Sequence, residues 1–455
     1  MSASIFDGFL TTPEAAAVFS DVAVAQAMFD FEAALARAQA AEHVIPAAAA
    51  TAIAGVCRAQ LYDLAAMVAA SGRAGSLAIP LVKELTRTVA LFDTDSAGFV
   101  HWGSTSQDVI DTAMALCTKR ALALIDAQLA ALAGHLLTLA EHHADTPVLA
   151  RTLLQPALVT SFGLKCANWA APVVRARARL REAASRAIAL QLGGAAGTLS
   201  AMGERAPQIA RRMAEELQLT LPPTSWHTQR DEWVRLGCEV AVCVGSLGKI
   251  GTDLALMAQG EIAELAEPAG AGRGGSSTMP NKRNPVSAMV AIAASHRTPM
   301  RAAALLGSMA QPHERGLGEW QAELAEWPGL YLSAHGAAHA LAEAFAGLQV
   351  DARRMRRNID GLGGAVYAEA ASMVMGTGIG RAQAHELMQR LTREAHTQGR
   401  ELGDLVAQAI ASDAKLRERV DAAAVARCFN AETAVRSAAA LARRLTGELR
   451  AALRA

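Results

Sequence analysis

"ALALIDAQLAALAGHLLTLAEHH", residues 121–143, decides the fold class. Leu122, Ile125, Leu129, Leu132, Leu136 and Leu139 recur at steps of three, four, three, four and three. Such a seam belongs to a long helix lying along other long helices. A second long helix is expected from about residue 233 to 267, where no proline intervenes and most faces are small or apolar. A helix apolar nearly all round must be buried on nearly all sides. One chain of this size can hardly cover two or three such helices, so other subunits are expected to cover them. Composition agrees: of 455 residues 52% are hydrophobic yet only 4% aromatic, and Ala and Leu fill the difference. The expectation is an all-α protein.

Working outward, residues 1–105 form a first helical segment of short elements. "TTPEAAAVF" offers Thr12 as a cap with Pro13 at the first helical position, and "SGRAGSLAIPL", residues 71–81, reads as a loop ending near Pro80. Residues 106–344 are the long-helix segment, and residues 345–455 a more charged helical segment. Its "DARRMRRNID", residues 351–360, reads as a solvated, salt-bridged helix face in preference to a polyanion site.

Charge and cysteine content exclude several functions. Lys plus Arg and Asp plus Glu both total 43, so no bulk field favours nucleic acid or an acidic membrane. No Lys or Arg precedes Arg37, which argues against a signal peptide, and the apolar run 240–247 is closely bounded by charges, which argues against a membrane span. Six scattered cysteines without a C-x-x-C pair read as reduced core residues. Cytoplasmic location is expected. His142 and His143 are adjacent on a helix and point apart, so no metal is expected, and no phosphate loop or dinucleotide fingerprint calls for a cofactor.

Three stretches carry chemistry. "GGSSTMPNKRNP", residues 274–285, must be a loop, because its glycines, serines, asparagines and prolines are poor helix interiors. Ser276 has Lys282 six residues on, and a nearby ammonium with backbone N–H donors would favour the alkoxide form of a serine. An ordinary surface loop facing water is the alternative from spacing alone. "HWGSTSQDVIDTA", residues 101–113, has Thr105 and Asp108 at the spacing of a helix start. The third stretch is "ARTLLQPA", residues 150–157.

Together these strings resemble the fumarase/aspartase superfamily. "GSSTMPNKRNP" is similar to its signature loop G-S-S-x-M-P-x-K-x-N-P, "GSTSQDVIDTA" to its G-x-T-S-x-D-x-x-D-T helix start, and "ARTLLQPA" to its R-T-H-x-Q segment. The resemblance covers about residues 20–400. It implies a three-domain α-helical subunit, a twenty-helix core in a homotetramer, active sites shared between subunits, and a small polycarboxylate substrate. The implied chemistry removes a proton alpha to a carboxylate to give an enolate, after which a group beta to it departs; no cofactor is needed.

The departure from the pattern narrows the branch. Leu153 stands where many relatives have His. A basic amine or alkoxide leaving group needs a proton donor, whereas a carboxylate, whose conjugate acid has a pKa of about 4, does not. Lactone formation by addition of a carboxylate to a muconate fits. "FDFEAALARA" (29–38), "AIPLVKEL" (78–85), "LPPTSWHTQRDEWV" (221–234) and "PHERGLGEWQAE" (312–323) resemble the branch that lactonizes 3-carboxy-cis,cis-muconate.

The resemblance implies that Ser276 passes a proton to the enolate carbon, with Lys282 and Asn284 polarising the carboxylate and Ser277 and Met279 beside them. Thr105 and Ser106 at a helix N-terminus would take another carboxylate, and Arg151 and Arg315 are the candidate further cations. Arg151 could equally be held in an ion pair. His101 could serve the substrate or a cap, His227 could line the site or brace it, and Gln155 could bond substrate or brace its loop. An adenylosuccinate-type lyase and a non-catalytic oligomeric scaffold are the competing readings.

Overall fold

A computed structural model describes residues 6–270, 272–275 and 278–454. Ser276 and Ser277 lie outside the described residues. The long helices are α1 (Asp21–Ala41), α2 (Ser106–His142), α3 (Phe162–Ala187), α4 (Asp231–Met257), α5 (Val286–Gly307) and α6 (Glu319–Ala346). The all-α expectation holds apart from one hairpin, β1 (Pro147–Thr152) with β2 (Gln155–Ser161), and a two-residue strand pair.

On α2 the seam residues Ile125, Leu129, Leu132 and Leu136 are buried, while Leu122 and Leu139 are half-buried. Ala121, Ala133, Leu137 and Ala140 are buried beside them, so the covered stripe is wider than a heptad seam. Thr12 caps the helix beginning at Pro13 by accepting the Ala15 N–H at 3.2 Å.

Two boundaries differ from expectation. The helix α4 ends at Met257 and not near residue 267. Gln259–Ala263 form a turn, Ala263 takes φ 47°, and Leu265–Ala266 pair antiparallel with Gln349–Val350. A helix continued through Glu264 would forfeit that pairing. The stretch 71–81 is a loop only over Gly75–Leu77: one helix ends at Ala74 with Gly75 left-handed, and the next begins at Ala78. Pro80 lies in its first turn, where no intrahelical donor is lost.

The chain divides into two compact units interleaved along the sequence: residues 1–129, 175–249 and 290–340, and residues 130–174, 250–289 and 341–455. The core of the first includes a stack of Trp233 on Trp327 at 4.0 Å, flanked by Trp226 and Tyr331. The second has a core of Met375, Met388, Leu391, Leu402, Leu405 and Val406, and a smaller one of Leu149, Val159, Ile359, Val366 and Tyr367 under the hairpin. Its arginine-rich helix Ala352–Asp360 is salt-bridged: Arg356 pairs with Asp360 at 2.8 Å and with Glu432, and Arg354 donates to the Ile262 carbonyl at 3.0 Å.

Both α2 and α4 are long and apolar enough to cross a membrane by length and composition, although charges flank the run 240–247 as expected. Only a third of the apolar stretch of α2 and half of that of α4 is buried within the chain. All six cysteines are free; Cys57, Cys117, Cys166 and Cys243 are buried, and burial pushes their thiols up.

Candidate active site

In the first unit the candidate residues gather around one carboxylate. Asp108, two residues into α2 and fully buried, is more than a cap. One oxygen lies 2.7 Å from His227 Nε2 and accepts the Gly193 N–H at 2.9 Å; the other accepts the Gly194 N–H at 2.9 Å, the Thr105 N–H at 3.2 Å and the Ser104 hydroxyl at 3.3 Å. Five donors compensate the cost of burying a charge in an apolar helix. Gly193 is required for this approach, since a Cβ there would stand 2.6 Å from Ser225 Oγ and 2.7 Å from His227 Cε1. Arg315 joins from the other side of the same turn, donating to the Gly194 carbonyl at 2.9 Å and the Ala195 carbonyl at 3.2 Å. Thr105, His227 and Arg315 are therefore brought together. Ser106 opens α2 beside them.

One turn further along α2, Asp111 anchors a second network. Arg230, fully buried, donates to Asp111 at 2.8 Å and to Glu323, with its guanidinium 4.5 Å over the Trp226 ring. Burial alone would lower the Arg230 pKa, but the two carboxylates outweigh it and hold the guanidinium charged. Burial pushes the Glu323 carboxyl up, with Arg230 opposing. Trp320 Nε1 donates to Asp111 at 2.9 Å, and Gln107 bridges Asp111 at 3.2 Å to the His227 carbonyl at 2.8 Å. The first turns of α2 are thus fixed by the same chain of polar contacts that fixes His227.

His101 precedes that helix in a left-handed conformation, φ 58°, with Nδ1 2.6 Å from Glu32 Oε1. Burial acts to lower the imidazole pKa, but the charge and hydrogen bond of Glu32 and the charge of Asp108 outweigh it and raise it above 6.5.

The second unit holds the other candidates. Arg151 forks onto the buried Glu264 with contacts of 3.0 and 2.7 Å, and Asn358 donates to the same carboxylate at 2.8 Å. The ion-pair alternative for Arg151 is what the structure contains. Arg151 Nη1 also donates to the Leu149 carbonyl at 3.3 Å. Gln155 opens β2, exposed and paired with Thr152. Between them Leu153 and Leu154 take φ 52° and 65°, a tight turn that usually selects Asn-Gly, and they are 97% and 73% exposed.

The signature stretch is a loop pinned at its stem. Asn284 N–H donates to the Gly274 carbonyl at 2.8 Å, Gly274 takes φ 64°, and a Cβ there would stand 2.5 Å from the Asn284 carbonyl. Glu267 accepts the Ser287 and Ala288 N–H groups at 3.1 and 3.0 Å, capping α5, while Arg273 reaches Ser287 Oγ at 2.7 Å. Met279 and Lys282 are exposed and Asn284 half-buried. The stem is held by these contacts, with Arg273 also paired to Glu267 at 3.6 Å.

Known proteins resemble the chain in both sequence and fold. The lyase family model matches residues 10–298, and the adenylosuccinate lyase C-terminus model matches residues 364–445. The chain is 48% identical to the 3-carboxy-cis,cis-muconate cycloisomerase of Pseudomonas aeruginosa, over 88% of this chain and 87% of that one. The chain belongs to the fumarase/aspartase superfamily. It is also 41% identical to the nitrosuccinate lyase of Streptomyces davaonensis, over 88% of this chain and 85% of that one. The crystal structure of 3-carboxy-cis,cis-muconate lactonizing enzyme from Pseudomonas putida superposes with a TM-score of 0.92 at 38% identity, covering 99% of this chain and all of that one.

Sequence reasoning overlooked Asp108 as a hub, Asp111, and Glu32 behind His101. The available signal was an acidic residue inside an apolar, buried helix, which must find donors.

Proposed function

We propose that the chain converts 3-carboxy-cis,cis-muconate to 4-carboxymuconolactone, the lactonization step of protocatechuate degradation. One substrate carboxylate adds across a carbon–carbon double bond, forming a C–O bond, and the electron pair passes to the carbon alpha to another carboxylate as an enolate. A proton then joins that carbon. The observation that carries this reading is the 48% identity over 88% of the chain to an enzyme of that name. Leu153 supports it, because nothing at that position could protonate a basic leaving group.

In this reading Ser276 delivers the proton, Lys282 and Asn284 stabilise the enolate charge, and Ser277 and Met279 bind substrate. Thr105 and Ser106 hold a carboxylate at the N-terminus of α2, where the helix dipole favours an anion. His227, held by Asp108, His101 and the charge of Arg315 complete the set, and Gln155 belongs to the hairpin that carries Leu153. The incompletely covered apolar faces of α2 and α4 support assembly, and a homotetramer with shared active sites is the form we propose. The divisions at residues 105 and 344, and a cytoplasmic location, belong to the same proposal.

The test is to follow the conjugated diene absorbance of 3-carboxy-cis,cis-muconate with purified protein, beside adenylosuccinate and nitrosuccinate. Rapid loss of the diene signal with the muconate alone is expected. Cleavage of adenylosuccinate in its place would contradict the inference from Leu153, and nitrosuccinate cleavage alone would assign the chain to the other relative's chemistry. A scaffold would turn over none and would gain no thermal stability from the lactone.

A further inference from the structure

Glu32 lies in the middle of α1 among Met28, Phe29, Phe31 and Leu35, and its side chain is wholly inaccessible. A charged residue in such company is costly to bury, and packing gives no reason for it. One carboxylate oxygen lies 2.6 Å from His101 Nδ1; the other, Oε2, has no hydrogen-bond partner. His101 is therefore the reason for Glu32. The imidazole is held from two directions, by this contact and by a backbone in the left-handed region that is uncommon for residues other than glycine. With Nδ1 occupied, Nε2 is the nitrogen left to meet a ligand, on a side chain that retains 17% exposure just before the N-terminus of α2.

We infer that Glu32 is a positioning residue for the reaction: it fixes His101 with both ring nitrogens protonated, so that Nε2–H is a cationic donor to one carboxylate of the substrate. The inference rests on the lactonization reading above. A substrate with three carboxylates needs more positive charge than Lys282 supplies, and Arg151 is committed to Glu264. The charged groups acting on His101 are Glu32 from α1 and Asp108 from α2, both carboxylates, and both favour the imidazolium. No atom is transferred by the pair; its work is to place one charge and one donor.

The near-isosteric Glu32→Gln variant is the test, with folding and assembly checked by circular dichroism and sedimentation. Two readouts are needed. The first is the imidazole titration of His101 in the ligand-free protein by NMR, assigned with His101→Gln. The second is kcat/KM for 3-carboxy-cis,cis-muconate against pH. The expected result is a fall of about one pH unit in the His101 titration, an equal shift of the basic limb of kcat/KM, and a rise in KM of about tenfold near pH 7.5, with a smaller change in kcat. Glu32→Asp should recover part of each. An unmoved titration overturns the proposal, and so does a moved titration with an unmoved limb, because His101 charge would then not be used. Failure of the wild-type protein to turn over the muconate would overturn the functional reading itself and this role with it, whatever the titration shows.

Discussion

The start of α2 and the loop 274–284 both match motifs of the superfamily, yet they use their polar residues in opposite ways. At the helix start the carboxylates of Asp108 and Asp111 are buried and saturated by donors within the chain, from Gly193, Gly194, His227, Gln107, Trp320 and Arg230. In the loop the described contacts include the stem bond between Gly274 and Asn284 and a turn in which the Lys282 N–H donates to the Met279 carbonyl, while the side chains of Met279 and Lys282 are exposed. In the proposed function the first region is a socket whose geometry is set within the chain, and the second presents the chemistry that a ligand completes. The lesson is that motif residues divide into those that build a site and those that work in it, and burial with hydrogen-bond saturation tells them apart.

Substitutions sharpen that contrast, and in order of their effect on stability the largest is expected at Arg230. Arg230→Leu leaves Asp111 and Glu323 buried without their shared cation and should cost about 3–5 kcal/mol by denaturant unfolding. A cost near zero would mean that the network is decorative. Asp108→Asn keeps the shape but removes the charge that five donors converge on. About 2–3 kcal/mol should be lost, together with turnover, since His227 and the Gly193–Gly194 turn lose their common anchor.

In the loop the expected pattern reverses. Gly274→Ala places a Cβ against the Asn284 carbonyl in a left-handed backbone and should strain the stem by about 1–3 kcal/mol. Most of this should be seen as faster proteolysis of the loop and reduced turnover, with little change in melting. Lys282→Ala should leave stability within about 0.5 kcal/mol while lowering kcat/KM by about 10². If Lys282→Ala destabilised the fold as much as Asp108→Asn, the division between the two regions would fail.

The smallest effect concerns pH. The folded-state pKa of His101 is raised above 6.5, so its pairing with Glu32 contributes fully below that value and is lost as pH rises through the higher folded value. Stability of the wild type minus that of His101→Gln, measured by urea unfolding, should therefore decline with rising pH above about 6.5. A difference that grew with pH would contradict the assignment.

The long helices were legible because burial of α2 follows a period that the sequence repeats. The hairpin at 147–161 was not, because its turn is Leu153–Leu154 and carries no Asn or Gly to announce a reversal. Nor was the end of α4: the chain turns there to pair Leu265 with Val350, and the adjacent Glu264 meets Arg151, partners distant in sequence. The same limit applied to the site. Lys282 and Asn284 are legible within one string, and the string is the signal. Asp108 is legible only as a cap, since His227 and the glycines come from more than eighty residues away, and Glu32 reaches His101 across 69 positions.

The central claim is that the loop works and the socket holds. The direct measurement is kcat for 3-carboxy-cis,cis-muconate with Ser276→Ala, beside its melting temperature and oligomer size. A loss of about 10²–10⁴ in kcat with unchanged melting and assembly is predicted. Near-normal turnover would remove the serine from the mechanism and contradict the account.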